Sequence, residues 1–233
     1  MISIFRQQAR FLLGIFVVAI FATGCTGVQT KSEAYPRMYN GERPLSIVVV
    51  PAINKTTAAD AGDLMNVTLT QPLADNGYYV LPIAVASEIF KKEGIVAGEQ
   101  LLGVPTSIFR NGFGADAVLF VTINKWEKNY IIISGSVTVG LSYVMLSTDS
   151  NEVLWSYKQE LKVDTSGGSA NPLSRIISSA ISTALTDYLP IARQVNALAA
   201  LTLPYGSYHP KVGQDGDDKV VLEELKDEAL IQE

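Results

Sequence analysis

The stretch YIIISGSVTVGLSYVML, residues 130–146, carries the clearest periodicity in the chain. Most of its odd-numbered positions, from Ile131 to Met145, are apolar, and serine or threonine occupies many of the positions between them. After the turn sequence STDSNE, residues 153–163 repeat the alternation. A period of two on both sides of a turn predicts an antiparallel β-hairpin with one buried face and one solvated face.

Upstream of this hairpin, short apolar runs alternate with segments of helical spacing. The runs SIVVV, YYVLP and GADAVLFVTINKW predict three strands, and the residues between them favour helices. Because helices separate these strands, we expect them to pair largely in parallel. A further helix is predicted from Asn171 onward, with a kink or interruption at Pro190. The sequence therefore predicts an α+β fold, a single domain with a mixed sheet built as βαβαβ, then a long antiparallel β-hairpin and a C-terminal helix.

The amino terminus is predicted to be a secretory signal. Residues 1–24 have a basic start, an apolar run over residues 11–21 and small residues before Cys25, the sole cysteine. The motif ATGC resembles a bacterial lipobox, which predicts cleavage between Gly24 and Cys25 and acylation of Cys25 with diacylglycerol and palmitate. The alternatives are a secreted protein with a spare thiol and, less favoured because the apolar run is short, a retained transmembrane helix.

The composition divides the rest of the chain into three parts. Residues 25–43 are polar and predict a lipidated N-terminus and tether, residues 44–210 carry the α+β lipoprotein domain, and residues 211–233 predict an acidic, mobile tail. Eight acidic and two basic residues lie between Asp215 and Glu233, which is a charge of −6 and leaves +1 for the rest of the chain, whose total is −5. The domain itself is nearly neutral, which argues against nucleic-acid binding.

The sequence contains no recognisable catalytic or metal-binding set. His209 is the sole histidine, and it lies on a predicted loop between two prolines. We therefore predict no enzymatic activity, no cofactor and no metal, and hydrolysis through His209 and a serine is the weakest hypothesis. Tyr78, Tyr79 and Trp126 are candidates for a binding surface, although such residues more often pack in a core.

Several motifs together resemble a known family. They are SIVVVPAINKT, PLADNGYYVLP, GADAVLFVTINKW, STDSNEVLWS and GSYHP, in this order behind the lipobox, and GYYVLP and YHP are the more specific parts. From Leu45 to Pro210 the chain resembles a family of bacterial lipoproteins of unknown function typified by a neisserial vaccine-candidate antigen. More widely, it resembles the periplasmic domain of the curli-secretion-channel lipoproteins and the amino-terminal domain of the Tol–Pal periplasmic component. The resemblance implies the same sheet order and a role in assembly or partner binding.

The resemblance also implies partners and a location. The implied partners are a channel-like lipoprotein and a small companion lipoprotein, encoded beside this chain and sharing an envelope complex with it. Thr26 stands where many inner-membrane lipoproteins of enterobacteria have Asp, so we expect a lipid-anchored domain at the outer membrane that faces the periplasm. The predicted function is a non-enzymatic, partner-binding component of an outer-membrane assembly or secretion-type complex. The alternative is a periplasmic lipoprotein that binds or senses a small ligand.

Overall fold

A mixed β-sheet forms the centre of the protein. The structure is a computed structural model, and it describes residues 28–131, 134–164 and 188–221. No helix in these ranges is long and apolar enough to cross a membrane. The elements in chain order are β1 (Val28–Thr30), α1 (Lys31–Ala34), α2 (Pro36–Tyr39), β2 (Ser46–Val49), β3 (Ile53–Asn54), α3 (Ala61–Asp75), β4 (Tyr79–Val80), α4 (Ile83–Lys92), a 3₁₀ helix (Gly98–Leu101), α5 (Ser107–Phe113), β5 (Ala117–Ile131), β6 (Ser134–Ser147), β7 (Val153–Asp164), α6 (Leu189–Thr202) and β8 (Lys219–Val221).

The sheet combines parallel and antiparallel pairing. β4, β2, β5, β6 and β7 lie side by side in that order, and β3 pairs with β5 beyond the end of β2. β2 runs parallel to β4 and to β5, whereas β5, β6 and β7 are antiparallel to one another. The predicted α+β fold with a mixed sheet is confirmed. The two-residue strand β3 was not predicted.

The hairpin turns earlier than its periodicity suggests. β5 ends at Ile131 and β6 begins at Ser134, so Ile131 and Met145, predicted on one strand, lie on two. Next to this turn an even-numbered residue of β5 lies opposite an odd-numbered residue of β6, as Lys128 does with Val137, so the face of the odd-numbered positions changes from one strand to the other. The second turn, between β6 and β7, lies within STDSNE as predicted.

Helices cover both faces of the sheet. On one face, α3, α6 and the α1–α2 segment enclose the larger core, around Leu119, Leu141 and Tyr143. On the other face, α4 and α5 enclose a smaller core, in which the ring centroids of Phe90 and Phe109 lie 6.3 Å apart. Apolar side chains therefore cover the parallel part of the sheet on both sides, as its continuous apolar runs require.

The C-terminal helix of the prediction is only partly described. Most of its residues, from Asn171 onward, lie outside the described residues, and α6 begins at Leu189. Pro190 stands in the first turn of α6, where a missing backbone N–H costs no helical hydrogen bond. The predicted kink or interruption at Pro190 concerns its connection to residues 171–187, which lie outside the described residues.

The polar side chains of β6 are buried, although the alternation predicted a solvated face. Thr138 and Ser142 are both buried. β6 lies between β5 and β7, and Lys125 Nζ and Glu160 Oε1 meet at 2.8 Å across Gly140. Long side chains of the flanking strands therefore cover the small ones of the central strand.

Both ends of the described chain pack onto the domain. Residues 28–43, predicted as a tether, form β1, α1 and α2 and bury Tyr35 and Met38 in the larger core. Residues 211–221, predicted as the start of a mobile tail, bring β8 back to pair with β1. Burial of the apolar side chains of Tyr35 and Met38 stabilises the first of these segments, although its composition is mostly polar.

A buried ion pair joins these two ends. Lys31 Nζ lies 3.1 Å from Asp215 Oδ2 and donates to the Leu203 carbonyl at 3.1 Å, and the side chains of the ion pair are only 3% and 0% exposed. The same Asp215 oxygen accepts the Tyr205 N–H at 2.8 Å. Because both charges lie out of water, each compensates the desolvation of the other.

Replacing Lys31→Met is expected to lower the free energy of unfolding by roughly 3–5 kcal/mol, because the Asp215 carboxylate is then buried without a counter-charge. The double variant Lys31→Met/Asp215→Asn should recover part of this loss. Urea denaturation measures both values. The control is Lys125→Met, which removes an exposed ion pair and should cost much less stability because solvent screens that pair. Equal losses for the two single variants would contradict the structural role of the Lys31–Asp215 pair.

Candidate interaction site

The predicted lipidation residue is close to folded structure in the chain. Gly24 and Cys25 lie outside the described residues, but β1 begins at Val28, three residues after Cys25. Consecutive Cα atoms are 3.8 Å apart, so the Cα atoms of Cys25 and Val28 are at most about 11 Å apart. The described fold therefore begins three residues after Cys25, within the segment that the composition predicts to be a tether.

The three candidate aromatic residues occupy different environments. Tyr78 is buried, and its hydroxyl donates to the Pro204 carbonyl at 2.6 Å. Burial raises the pKa of Tyr78 well above its ordinary value, so the phenol is a neutral donor at physiological pH. Trp126 lies in the larger core, with its ring stacked on that of Tyr188 at a centroid distance of 5.0 Å. Tyr79 is 57% exposed.

The strand register separates Trp126 from the two tyrosines. Tyr79 pairs with Ser46 on β2, and the next β2 residue pairs with Ala117, which is nine residues before Trp126 on β5. At about 3.3 Å per residue, this separation is about 30 Å along the sheet. The three residues therefore do not line a common pocket, and only Tyr79 offers a large exposed surface.

Tyr78 and Tyr79 belong to a contact between the two most specific motifs of the sequence. We call this contact the junction; it consists of residues 76–79 and 204–209. Backbone hydrogen bonds join the two segments, from the Gly206 N–H to the Asn76 carbonyl at 2.8 Å and from the Tyr208 N–H to the Gly77 carbonyl at 3.0 Å. The Asn76 side-chain amide also donates to the Leu203 carbonyl at 3.1 Å. Two motifs that lie about 130 residues apart in the sequence thus form one structural unit.

Gly77 permits the close approach of the two segments. Its φ angle is +86°, in the left-handed region that favours glycine, and a Cβ atom at this position would overlap the backbone of His209. The His209 ring stacks on Tyr205 at a centroid distance of 3.7 Å, and its Nδ1 accepts the Lys211 N–H at 3.1 Å. Neither contact involves a serine or a carboxylate. Within the described residues, no group of three or more His, Cys, Asp and Glu side chains could hold a metal ion.

Three large side chains at or beside the junction are exposed. Tyr79 and Tyr208 are 57% and 67% exposed, and Leu45, whose carbonyl accepts the Tyr79 N–H at 3.0 Å, is also exposed. We call Leu45, Tyr79 and Tyr208 the junction surface. Tyrosine is enriched in protein interfaces because it combines a large apolar ring with a polar tip. The sequence analysis identified Tyr79 but not Tyr208, whose only signal was its place in the GSYHP motif.

Comparison with known proteins places the chain in a class of lipoproteins and identifies the family. The family model described as "Putative lipoprotein GNA1162-like" matches residues 35–204, and the chain belongs to this family. The predicted family resemblance is confirmed. The matched range begins at Tyr35 and contains α2 and most of the larger core.

A neisserial sequence and a neisserial crystal structure are similar to this chain. The Neisseria meningitidis serogroup B protein NMB1124/NMB1162 is 26% identical over 196 residues, which cover 83% of this chain and 90% of that protein. The crystal structure of the lipoprotein GNA1162 from Neisseria meningitidis is 26% identical, with a TM-score of 0.51, and the match covers 62% of this chain and 100% of that one. The similarity supports the α+β fold of the domain.

Replacing Gly77→Ala is expected to destabilise the protein by more than the roughly 1–2 kcal/mol of left-handed strain alone, because the new Cβ also displaces the His209 backbone. Gly94→Ala is the matched control, since Gly94 has a φ angle of +78° and open space around it. Thermal unfolding of both variants provides the comparison. The close packing of the junction would be contradicted if the two variants lost the same stability.

Proposed function

We propose that the protein is a non-enzymatic lipoprotein, anchored through Cys25 at the outer membrane and facing the periplasm, that binds other envelope proteins. Membership of a lipoprotein family supports the anchor. The single observation that carries the partner-binding role is the junction surface. It presents two exposed tyrosine rings on a backbone that is fixed by hydrogen bonds from both sides.

Rigid attachment of the exposed rings favours binding. Two hydrogen bonds fix the backbone beneath the junction surface. The Tyr208 N–H donates to the Gly77 carbonyl, and the Tyr78 hydroxyl donates to the Pro204 carbonyl. Side chains on an ordered backbone lose less conformational entropy when a partner binds, and buried tyrosines commonly supply much of the binding energy of an interface. We propose a channel-like lipoprotein and a small companion lipoprotein as the partners, which combine into an assembly or secretion-type complex.

The short segment after the lipidated residue fits this role. With at most about 11 Å between the Cα atoms of Cys25 and Val28, the β1–β8 end of the domain lies next to the membrane in the anchored form. Two or more acyl chains hold a protein stably in a bilayer, whereas one chain binds only marginally. Partners in the same membrane then meet a domain of restricted orientation. A ligand pocket formed by Tyr78, Tyr79 and Trp126 is not part of this proposal, because the three residues do not meet.

The intact mass of protein from a bacterial membrane fraction tests the anchor. The expected mature chain begins at Cys25 and carries the mass of a diacylglyceryl group and its acyl chains. The Cys25→Ala variant is the control and should leave the membrane fraction, because no thiol is present for acylation. An unmodified chain, or a Cys25→Ala variant that stays in the membrane to the same extent, would contradict the proposal.

Chemical cross-linking in intact cells tests the partner surface. We expect wild-type protein to cross-link to membrane-anchored envelope proteins, and Tyr79→Ser and Tyr208→Ser each to reduce the yield by about tenfold, equivalent to about 1.4 kcal/mol of binding free energy. Val96→Ser is the matched control, since Val96 is 72% exposed and lies outside the junction. Equal yields from all four proteins, or a wild type recovered without partners, would overturn this part of the proposal.

A further inference from the structure

Three asparagines of the chain are followed directly by glycine, and the structure places them in different environments. They are Asn40, Asn76 and Asn111. In this context an asparagine loses its side-chain amide readily, because glycine has no Cβ atom to hinder attack by its own backbone nitrogen. The reaction also needs a backbone N–H and a side chain that are free to approach each other. The folded structure therefore decides which of the three can react.

Asn76 is held in place at both reacting groups. Its side-chain amide donates to the Ala200 and Leu203 carbonyls at 2.8 Å and 3.1 Å. The Gly77 N–H donates to the Ala74 carbonyl at 2.9 Å. The side chain and the backbone nitrogen can therefore meet only after local opening of the junction.

Asn111 is exposed, but it lies inside a helix. Asn111 and Gly112 are both residues of α5. The Gly114 N–H donates to the Arg110 carbonyl at 2.9 Å and closes the helical turn around the pair. The peptide unit between Asn111 and Gly112 is fixed by this turn, so ring closure requires local unwinding of α5.

Asn40 is free of such restraints. It follows the last residue of α2, and both Asn40 and Gly41 are exposed. Within the described part of the chain, neither the Asn40 side-chain amide nor the Gly41 N–H has a hydrogen-bond partner. A Cβ atom built on Gly41 would meet no other atom within 4 Å. The two groups therefore have room to approach each other in the folded protein.

We propose that Asn40 is a site of spontaneous deamidation. Hydroxide removes the Gly41 amide proton, and the Gly41 nitrogen attacks the Asn40 side-chain carbonyl carbon. The new C–N bond closes a succinimide ring, and the side-chain nitrogen leaves as ammonia. Water then opens the ring at either carbonyl, which leaves aspartate or isoaspartate at position 40. The site shares no residue with the junction surface and stands independently of the proposed function.

The modification alters the connection between α2 and β2. Met38, two residues before Asn40, is buried in the larger core, and Pro44, four residues after it, is also buried. Isoaspartate adds its Cβ atom to the main chain, so the path between these two buried residues becomes longer. The reaction also adds one negative charge. Deamidation therefore weakens the packing of residues 28–43 on the domain.

Peptide mapping by mass spectrometry tests the site in the full-length protein after prolonged incubation in mildly alkaline buffer. Trypsin places the three asparagines on separate peptides, and fragmentation of each peptide locates the converted residue. We expect Asn40 to convert at least about tenfold faster than Asn76 and Asn111, because only the latter two must wait for local opening. In urea the three rates should become similar, since unfolding removes the restraints.

Two variants complete the test. Asn40→Gln removes the site, because glutamine would have to close a larger ring, and Asn111→Gln is the matched control that should leave conversion at Asn40 unchanged. After incubation the wild type should unfold at a lower temperature than Asn40→Gln does. Conversion at Asn40 no faster than at Asn76 or Asn111, or an equal acceleration of all three by urea, would overturn the proposal. Equal unfolding temperatures after conversion would contradict the effect on packing.

Discussion

Strand β5 pairs with parallel strands along one edge and with an antiparallel strand along the other, and the arrangement of the whole sheet depends on this double pairing. Its first half accepts parallel partners, β2 and β3, on one side and the antiparallel β6 on the other. Helices cover both faces there, so Val118, Leu119 and Val121 are fully buried. The pairing with β6 shifts register between Ile123 and Lys125, and beyond that irregularity the strand continues as one arm of the hairpin. One strand thus joins an α/β layer to an antiparallel ribbon.

The parts of the fold with a local pattern were predictable, and the parts fixed by distant contacts were not. Apolar runs and strict alternation indicated the parallel strands and the hairpin, because burial on two faces or one leaves a direct trace in the sequence. Residues 28–43 gave the opposite impression. Their folded structure depends on the burial of Tyr35 and Met38 in the larger core. It also depends on the ion pair between Lys31 and Asp215, which are 184 residues apart in the sequence. A polar composition cannot reveal such a partner.

The same distinction applies to the functional residues. Aromatic side chains mark either a core or a surface, and the sequence could not separate the buried Tyr78 and Trp126 from the exposed Tyr79. The junction needs the register of a strand and the path of a loop more than 120 residues later. It is therefore a property of topology. A residue such as Tyr208 has little individual signal.

The antiparallel pairing of β1 and β8 has a practical consequence for studies of this protein. Val28 lies opposite Val221, so the first and last described residues of the chain are neighbours. A label attached beside residue 221 would therefore lie close to the anchored end of the chain, if Cys25 is acylated as we propose. Labels inserted in the turn between β6 and β7 would start from a different part of the sheet, and the two placements would report on different surroundings.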